Sequence, residues 1–328
     1  RASGSGYMLV TDLKQCHLEE ACELFAATYR CQRESVPILD EGNGSAERVL
    51  PMLKWCLEEH PGTAVFENGK MIAFMTGFYI DELLGVHRGA LCPEWAHAST
   101  NEKSFETHRL MYQALGQKWV EDGCLTHAIY FMNYAREALD AFVWNGFGSI
   151  CVDAVRAVEP ISAEAPEGVR IAAIREEDIP VWVSLVDGHD RHVAKSPAFK
   201  PYLEPESSAG LGDVLRQPGN HAWLAWHGNE AVGYMKVAPV EDGTAWIVNG
   251  ERKFAVNGAY VKPEYREMGI AKSLLSAIME WALREGLVRC SVEFEATNVE
   301  ACRFWLKHFE PVCRSMVRRL DERILNTI

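Results

Sequence analysis

The chain has 328 residues, of which 48% are hydrophobic and 24% charged, and this suits a globular protein with room for two domains. No stretch approaches 18 consecutive apolar residues, which argues against a membrane-spanning helix. The formal net charge of −13 argues against a nucleic-acid surface, which would need a basic patch. Solubility is the simplest explanation of the acidity, and a preference for cationic or neutral substrates is the alternative.

The ten cysteines show no pattern of a disulfide framework. None forms a CxxC pair and none lies between residues 152 and 289, so we expect reduced thiols in a cytoplasmic protein. The spacings between Cys and His match no zinc template, and we expect no structural metal. Residues 1–6 lack the apolar segment of a signal peptide and are left out of the fold prediction.

The first half of the chain has the signals of an α+β unit. Residues 8–25 are a β-prone run followed by helical spacing, and residues 60–78 are two β runs around Glu67-Asn68-Gly69, which is typical of a hairpin. Residues 92–119 contain Trp95, His97 and His108. We expect these three to be local core or surface residues, with a role in lining a cleft as the alternative.

Residues 156–168 contain two prolines and several carboxylates without an apolar period, which predicts a linker between domains at 7–155 and 169–328. The two halves resemble each other in the same order, at offsets of 157 to 162 residues. The matching pairs are 8–25 with 169–186, 60–78 with 217–237, and 138–155 with 300–317. We interpret this as an internal duplication of one α+β unit.

The second half predicts a regular series of elements. In chain order they are a strand at 169–174, a helix at 177–188, a long loop to about 219, a hairpin at 221–239, a strand at 253–261, a helix at 270–285, a strand at 288–295, a helix at 298–308 and a strand at 312–319. A loop as long as 189–219 inside a compact domain is usually functional or mobile.

The turn before the helix at 270–285 carries small residues, in the sequence Arg266-Glu-Met-Gly-Ile-Ala271. The first N–H groups of a helix lack intrahelical partners and favour an anion, and Gly269 and Ala271 leave the backbone accessible. Arg266 and Lys272 add positive charge. An ordinary turn is the alternative to a pyrophosphate site, because the RxxGxA pattern alone is common. Neither a Walker A sequence nor GxGxxG is present.

Two neighbouring stretches, VKPEYREMGIAKSLL and EATNVEACRFWLKHF, resemble the GNAT superfamily of acyl-CoA-dependent N-acyltransferases. The matching positions are Val261, Pro263, Arg266, Gly269, Ala271, Asn298, Ala301, Phe304, Trp305 and Phe309. The close match covers about 50 residues, and the hairpin at 221–239 extends it. With the repeat, the resemblance implies a tandem GNAT protein. Its α+β fold would have two lobes, each with a mixed, mainly antiparallel sheet flanked by helices. Residues 92–119 lack the loop, so the first lobe would be degenerate, with a structural or substrate-shaping role.

The resemblance also implies acetyl-CoA as the donor and a set of residues that bind it. The pyrophosphate would lie on the loop, at Arg266, Met268, Gly269, Ile270, Ala271 and Lys272. The pantetheine arm would bond the preceding strand at Ala259, Tyr260 and Val261, where a backbone N–H would polarise the thioester carbonyl. Asn298 would contact the pantetheine, and it also suits a helix N-cap.

Two positions depart from the family pattern. Trp305 replaces the tyrosine that usually protonates the departing thiolate, and His308 replaces a glycine. The indole N–H is no useful acid. The acid is therefore either elsewhere, with Tyr260 and His308 as the alternatives, or unnecessary because a thiolate leaves easily.

A base is needed more than an acid. Deprotonating a lysine-like amine at pH 7 costs roughly 4–5 kcal/mol, against about 1 kcal/mol for an α-amine. Glu293 and Glu295 lie on the strand at 288–295, which follows the helix at 270–285, and Glu295 is nearer the end of that strand. Asn257 shares the face of Val261 by alternation and would hold a water. We name Glu295 and Asn257 as catalytic candidates, although solvated strand carboxylates are the simpler explanation of both glutamates.

The sequence thus predicts transfer of an acetyl group to a primary amine by direct attack in a ternary complex. The acceptor would be a small molecule or a peptide, including a polyamine, an aminoglycoside-like or peptide antibiotic, an amino acid or a protein amine. We expect a monomer or homodimer without a membrane or nucleic-acid partner. The alternatives are a non-catalytic acyl-CoA-binding or regulatory protein, and an interaction module that has lost its cofactor.

Overall fold

The structure is a computed structural model that describes residues 7–202, 205–239 and 244–327. This described part contains eight α-helices and fourteen strands, together with short 3-10 turns. The helices are α1 (Leu18–Ser35), α2 (Ala46–Glu59), α3 (Ser104–Glu121), α4 (Arg136–Trp144), α5 (Ile179–Val193), α6 (Ser208–Arg216), α7 (Ile270–Arg284) and α8 (Val299–His308). The strands are β1 (Met8–Asp12), β2 (Gly62–Glu67), β3 (Lys70–Thr76), β4 (Phe78–Ile80), β5 (Gly89–Cys92), β6 (His97–Ser99), β7 (Thr126–Met132), β8 (Gly148–Ala157), β9 (Val169–Ala173), β10 (His221–His227), β11 (Glu230–Ala238), β12 (Lys253–Val261), β13 (Arg289–Glu295) and β14 (Glu310–Arg319).

The chain forms two compact units. Unit 1 comprises the described residues of Arg1–Asp153, Ala245–Gly250 and Pro311–Ile328, and unit 2 those of Ala154–Thr244 and Glu251–Glu310. The C-terminal strand therefore belongs to unit 1, where Met316 pairs with Ile129 of β7. The domain boundaries predicted from the repeat, 7–155 and 169–328 with a linker at 156–168, stay a prediction.

Unit 1 contains an antiparallel sheet in the order β1-β2-β3-β6 and a second series in the order β4-β5-β7-β14. Asn68 and Gly69 both have positive φ, which is the backbone that a two-residue hairpin turn requires, so the predicted hairpin is confirmed. The core of unit 1 is rich in aromatic side chains, including the fully buried Phe74, Trp119 and Phe131.

Unit 2 is built on strands in the order β13-β12-β11-β10-β9. The strands from β9 to β12 pair antiparallel, whereas β12 and β13 run parallel and are joined through α7. One apolar stripe of α7, including Ile270, Leu274 and Ile278, is buried, as the helical spacing predicted. The mixed α+β fold class is thereby confirmed.

The elements follow one another in nearly the same order in the two halves. Each runs strand, two helices, hairpin, strand, helix, strand, helix, strand, and the first half adds β4 and β5. This order agrees with a duplication, which remains an interpretation of the sequence.

One predicted element was wrong. The stretch 189–219 is not a single loop, because α5 continues to Val193 and α6 occupies Ser208–Arg216; residues 203–204 of that stretch lie outside the described residues. The described residues contain no helix that is both long and apolar enough to cross a bilayer.

Candidate functional site

The two parallel strands of unit 2 separate before they end. Their last pair is Val256 with Val292, yet β12 continues to Val261 and β13 to Glu295. On the other side of β12 the register shifts so that Asn257 is an extra residue, a β-bulge. The separation leaves an edge of β12 backbone along which an extended ligand can bond.

The orientation of that backbone follows from one hydrogen bond. The N–H of Lys262 donates to the carbonyl of Val232 at 2.9 Å, so alternate residues of β12 bond β11 and the ones between them face away. Ala259 and Val261 are the residues that face away. The carbonyl of Val261 accepts a hydrogen bond from Nε of Arg266 at 3.0 Å, which agrees with this orientation. The amides of Ala259 and Val261 therefore point away from β11, toward the gap.

The loop from Arg266 to Lys272, called the signature loop below, places the N-terminus of α7 beside this edge. Gly269 is the N-cap of α7 with φ of +90°, and no side chain caps the helix there. Glu267 also has positive φ, so left-handed residues flank Met268 and turn successive N–H groups toward one side. A Cβ at Gly269 would meet no atom within 4 Å, which shows open space at the first turn. The amides of Ile270, Ala271 and Lys272 belong to that first turn and suit an anion.

The positive charge near the loop differs from the sequence expectation. The Arg266 guanidinium lies 5.6 Å from the centre of the Tyr260 ring and also pairs with Glu300, so much of its bonding capacity is used within the protein. Glu300 in turn contacts Nε2 of His192 at 3.1 Å. Lys272 is exposed at the helix start. An anion here would rest on backbone amides and Lys272 more than on Arg266.

Glu295 ends β13 beside the gap and pairs with Lys200, whose Nζ lies 2.8 Å from its Oε1. Burial by itself would raise the pKa of Glu295, but the hydrogen bond and the charge of Lys200 outweigh burial and hold the pKa below its ordinary value. The carboxylate is therefore ionised at neutral pH and able to accept a proton. Asn257 lies in the bulge, which disturbs the strict alternation from which a face shared with Val261 was predicted.

The sequence interpretation missed the residues that α5 and the following segment bring to Glu295 and Tyr260. Lys200 is 95 positions away from Glu295 in the chain. His189 and His192, near the end of α5, both lie 6.4 Å from the Tyr260 ring between ring centres. A Cβ at Gly188 would lie 3.0 Å from that ring, which shows how closely α5 approaches β12. The length of the predicted loop was the only sequence signal for this side of the site.

The remaining predicted positions have structural partners. Oδ1 of Asn298 accepts the Ala301 N–H at 3.1 Å, so Asn298 is the N-cap of α8. Trp305 is buried. Burial raises the pKa of Tyr260, so its hydroxyl gives up a proton less readily. Burial and the neighbouring cations lower the pKa of His308, so its ring is mostly unprotonated at neutral pH and has no extra proton to donate. A thiolate that leaves unaided fits these surroundings better.

Comparisons with known proteins add to this geometry. Residues 189–309 match the model of the acetyltransferase (GNAT) family, a range that includes every predicted site residue. Streptothricin acetyltransferase A of Bacillus subtilis (strain 168) is 25% identical over 130 residues, which are 40% of this chain and 68% of that protein. A GCN5-related N-acetyltransferase structure from Sphaerobacter thermophilus aligns with a TM-score of 0.57 at 14% identity, covering 95% of both chains. A glucosamine N-acetyltransferase region of a fungal multi-domain β-N-acetylglucosaminidase aligns with a TM-score of 0.50 at 12% identity, covering 97% of this chain and 38% of that one. At these identities the structural likenesses show the fold alone.

Proposed function

Because residues 189–309 match the model of the acetyltransferase (GNAT) family, we propose that the protein transfers an acetyl group from acetyl-CoA to a primary amine by direct attack. The observation that carries the proposal is the gap between β12 and β13, which has the uncapped start of α7 beside it. A thioester whose diphosphate lies on that helix start extends its arm along β12. There the amides of Ala259 and Val261 donate hydrogen bonds to the arm, which adds to the edge of β12 as a further strand would.

Two features of the gap support the chemistry. An amide of the β12 edge donates to the thioester carbonyl oxygen, which gains negative charge as the amine nitrogen attacks. Glu295 takes one proton from the attacking nitrogen, directly or through a water near Asn257, and an acceptor that arrives as an ammonium loses its other proton to solvent. The new C–N bond forms, the C–S bond breaks, and the sulfur leaves as a thiolate.

The side of the gap near Glu295 suits a cationic acceptor. An incoming ammonium competes with Lys200 for the carboxylate. The similar Bacillus protein is named for streptothricin, so this antibiotic is the first acceptor to test. Polyamines, aminoglycosides, amino acids and peptides follow it.

A thiol-release assay tests the proposal. Acetyl-CoA is incubated with the protein and each amine, and free thiol is measured with a chromogenic disulfide. We expect saturable, amine-dependent thiol release with at least one member of the panel. Calorimetric binding of coenzyme A without turnover on any amine would instead support a non-catalytic acyl-CoA-binding or regulatory protein, and no binding of coenzyme A would exclude both.

Lys200→Met should move the acidic limb of the pH profile to higher pH. Lys200 lowers the pKa of Glu295, so removing Lys200 raises that pKa. As the pH falls, Glu295 of the variant is then protonated at a higher pH than in the wild type, and activity is lost there. The measurement is kcat/KM against pH with one and the same amine, so that titration of the substrate cancels in the comparison.

Lys195→Met is the matched control for this shift. Lys195 is exposed in the same segment, and no ion pair joins it to Glu295. Its substitution should leave the acidic limb in place. Equal profiles for Lys200→Met and the wild type would show that Glu295 is not the titrating base.

A further inference from the structure

Unit 1 has a cavity of its own, to which the proposed acetyl transfer gives no role. Its volume is about 240 Å³, and it lies among β6, the start of α3, the end of β7 and the start of α4. Buried polar side chains line one end, among them Glu94, His97 and His108. The exposed Arg136 and Glu137 line the other end.

Glu94 is the most unusual group in this cavity. The residue is 1% exposed, and its Oε1 accepts the N–H of Ile247 at 2.8 Å. Its second oxygen, Oε2, is buried without a hydrogen-bond partner among the described residues. A buried carboxylate oxygen without a partner costs several kcal/mol unless a donor or a cation meets it. A ligand with N–H donors and positive charge would meet this requirement.

The two histidines bring no compensating charge. Burial lowers the pKa of His97 to about 4 and that of His108 to about 3, so both rings are neutral at pH 7. Nε2 of His97 donates to the carbonyl of Tyr130, and Nδ1 of His108 donates to the carbonyl of Ser104. The two remaining ring nitrogens face each other at 3.2 Å, and in neutral rings both are acceptors, so no hydrogen bond joins them. Burial likewise raises the pKa of Glu94 to about 7, and a bound cation would hold that carboxyl ionised.

The other end of the cavity has the opposite preference. Helix α4 begins there at Arg136, and its N-cap Ala135 has no side chain that caps the helix. Glu137 and Ala138 of the first turn line the cavity, and the first amides of a helix have no partner within it. Arg136 adds a positive charge beside them, and the exposed Glu137 a negative one. A helix start with an adjacent arginine suits a carboxylate.

We propose that this cavity of unit 1 binds a small zwitterion, a free amino acid, with its ammonium on Glu94 and its carboxylate on the start of α4. The size agrees with this class of ligand, because about 240 Å³ lies below the range of roughly 300–1,000 Å³ for drug-sized ligands. Coenzyme A is far too large for this cavity. The inference does not depend on the acetyl-transfer proposal, which concerns unit 2.

Met132 lines the cavity and provides a local readout. The protein is labelled with [¹³C]methyl-methionine, its Met132 resonance is assigned with Met132→Leu, and it is titrated with L-alanine, L-serine and L-leucine. We expect a saturable shift of this resonance with at least one amino acid. Ethylamine and propionate, which each lack one of the two charges, should bind at least about tenfold more weakly.

Two variants separate the ammonium contact from the surrounding charge. Glu94→Gln keeps an oxygen for the Ile247 N–H but removes the charge, and should weaken amino-acid binding about ten- to a hundredfold. Asp140→Asn makes the same change at an exposed position of α4 that does not line the cavity, and should alter affinity less than about threefold. Ala135→Leu, which fills the helix end of the cavity, should also abolish the shift and serves if Glu94→Gln does not fold.

Three results would overturn the inference. They are no shift of the Met132 resonance with any of the three amino acids, binding of ethylamine as tight as that of the amino acids, and unchanged affinity in folded Glu94→Gln or Ala135→Leu. Because the readout lies in unit 1, binding of an amine in unit 2 does not imitate it.

Discussion

Gly269→Glu should weaken coenzyme A binding by well over about tenfold, which corresponds to more than 1.4 kcal/mol. The new side chain enters open space at the start of α7, where it places a carboxylate in the position proposed for the diphosphate. It also forces a residue with a Cβ to adopt φ of +90°, which costs about 1–2 kcal/mol of stability. Isothermal titration calorimetry with coenzyme A measures the affinity, and thermal unfolding shows that the variant is folded.

The matched control is Gly286→Glu, just beyond the other end of the same helix. Gly286 also has positive φ, at +69°, and a Cβ there likewise meets no atom within 4 Å. This variant also places a residue with a Cβ at positive φ and adds the same charge, but it lies far from the helix start. It should lose comparable stability and keep its affinity for coenzyme A. If both variants bind alike, the first-turn amides of α7 are not the diphosphate site.

Glu295→Gln should reduce kcat about 10²- to 10⁴-fold, the usual contribution of a positioned general base. The amide has the shape of the carboxylate but cannot accept the proton of the amine. Affinity for coenzyme A should not change, because the side chain lies at the end of β13 and not on the signature loop. The expected signature is therefore a loss in kcat with normal donor binding. Stopped-flow measurement of the acetyl-transfer step checks it directly.

Glu293→Gln is the companion variant. Glu293 lies two residues earlier on β13 and is exposed, so its substitution makes the same chemical change on the same strand. We expect kcat within about threefold of the wild type. A fall of similar size in both variants would point to a general effect of charge and would remove Glu295 as the base.

The local elements of unit 2 were largely predictable because their signals are local. The hairpin, β12, α7 and α8 lie within a residue or two of their predicted bounds. Helix α6 was missed for a physical reason. It contains Gly210 and Gly212, which are poor helix formers, and it is held by a cap from Ser207 and by the burial of Leu211 against neighbouring elements. The burial of Leu211 cannot be read from the sequence, but it outweighs the low helix propensity of the two glycines.

The candidate site was predictable in part. The signature loop was found because glycine at a strand-to-helix turn is a local pattern, and the structure places Gly269 at a backbone angle that favours glycine. The contact between Glu295 and Lys200 was not predictable, because the two residues are 95 positions apart in the chain. The same holds for Glu94 and Ile247 at the cavity of unit 1, which are 153 positions apart.

The sequence by itself determined the fold class, the resemblance to an acyltransferase family and the position of the loop before α7, because short patterns of glycine, proline and apolar spacing carry these features. Only the tertiary structure decided that β12 and β13 part after Val256, that Arg266 is already paired, and that Lys200 lowers the pKa of Glu295. Such features depend on which distant residues the fold brings into contact. Charge, burial and hydrogen bonding then act between those residues over a few ångströms, whatever their separation along the chain.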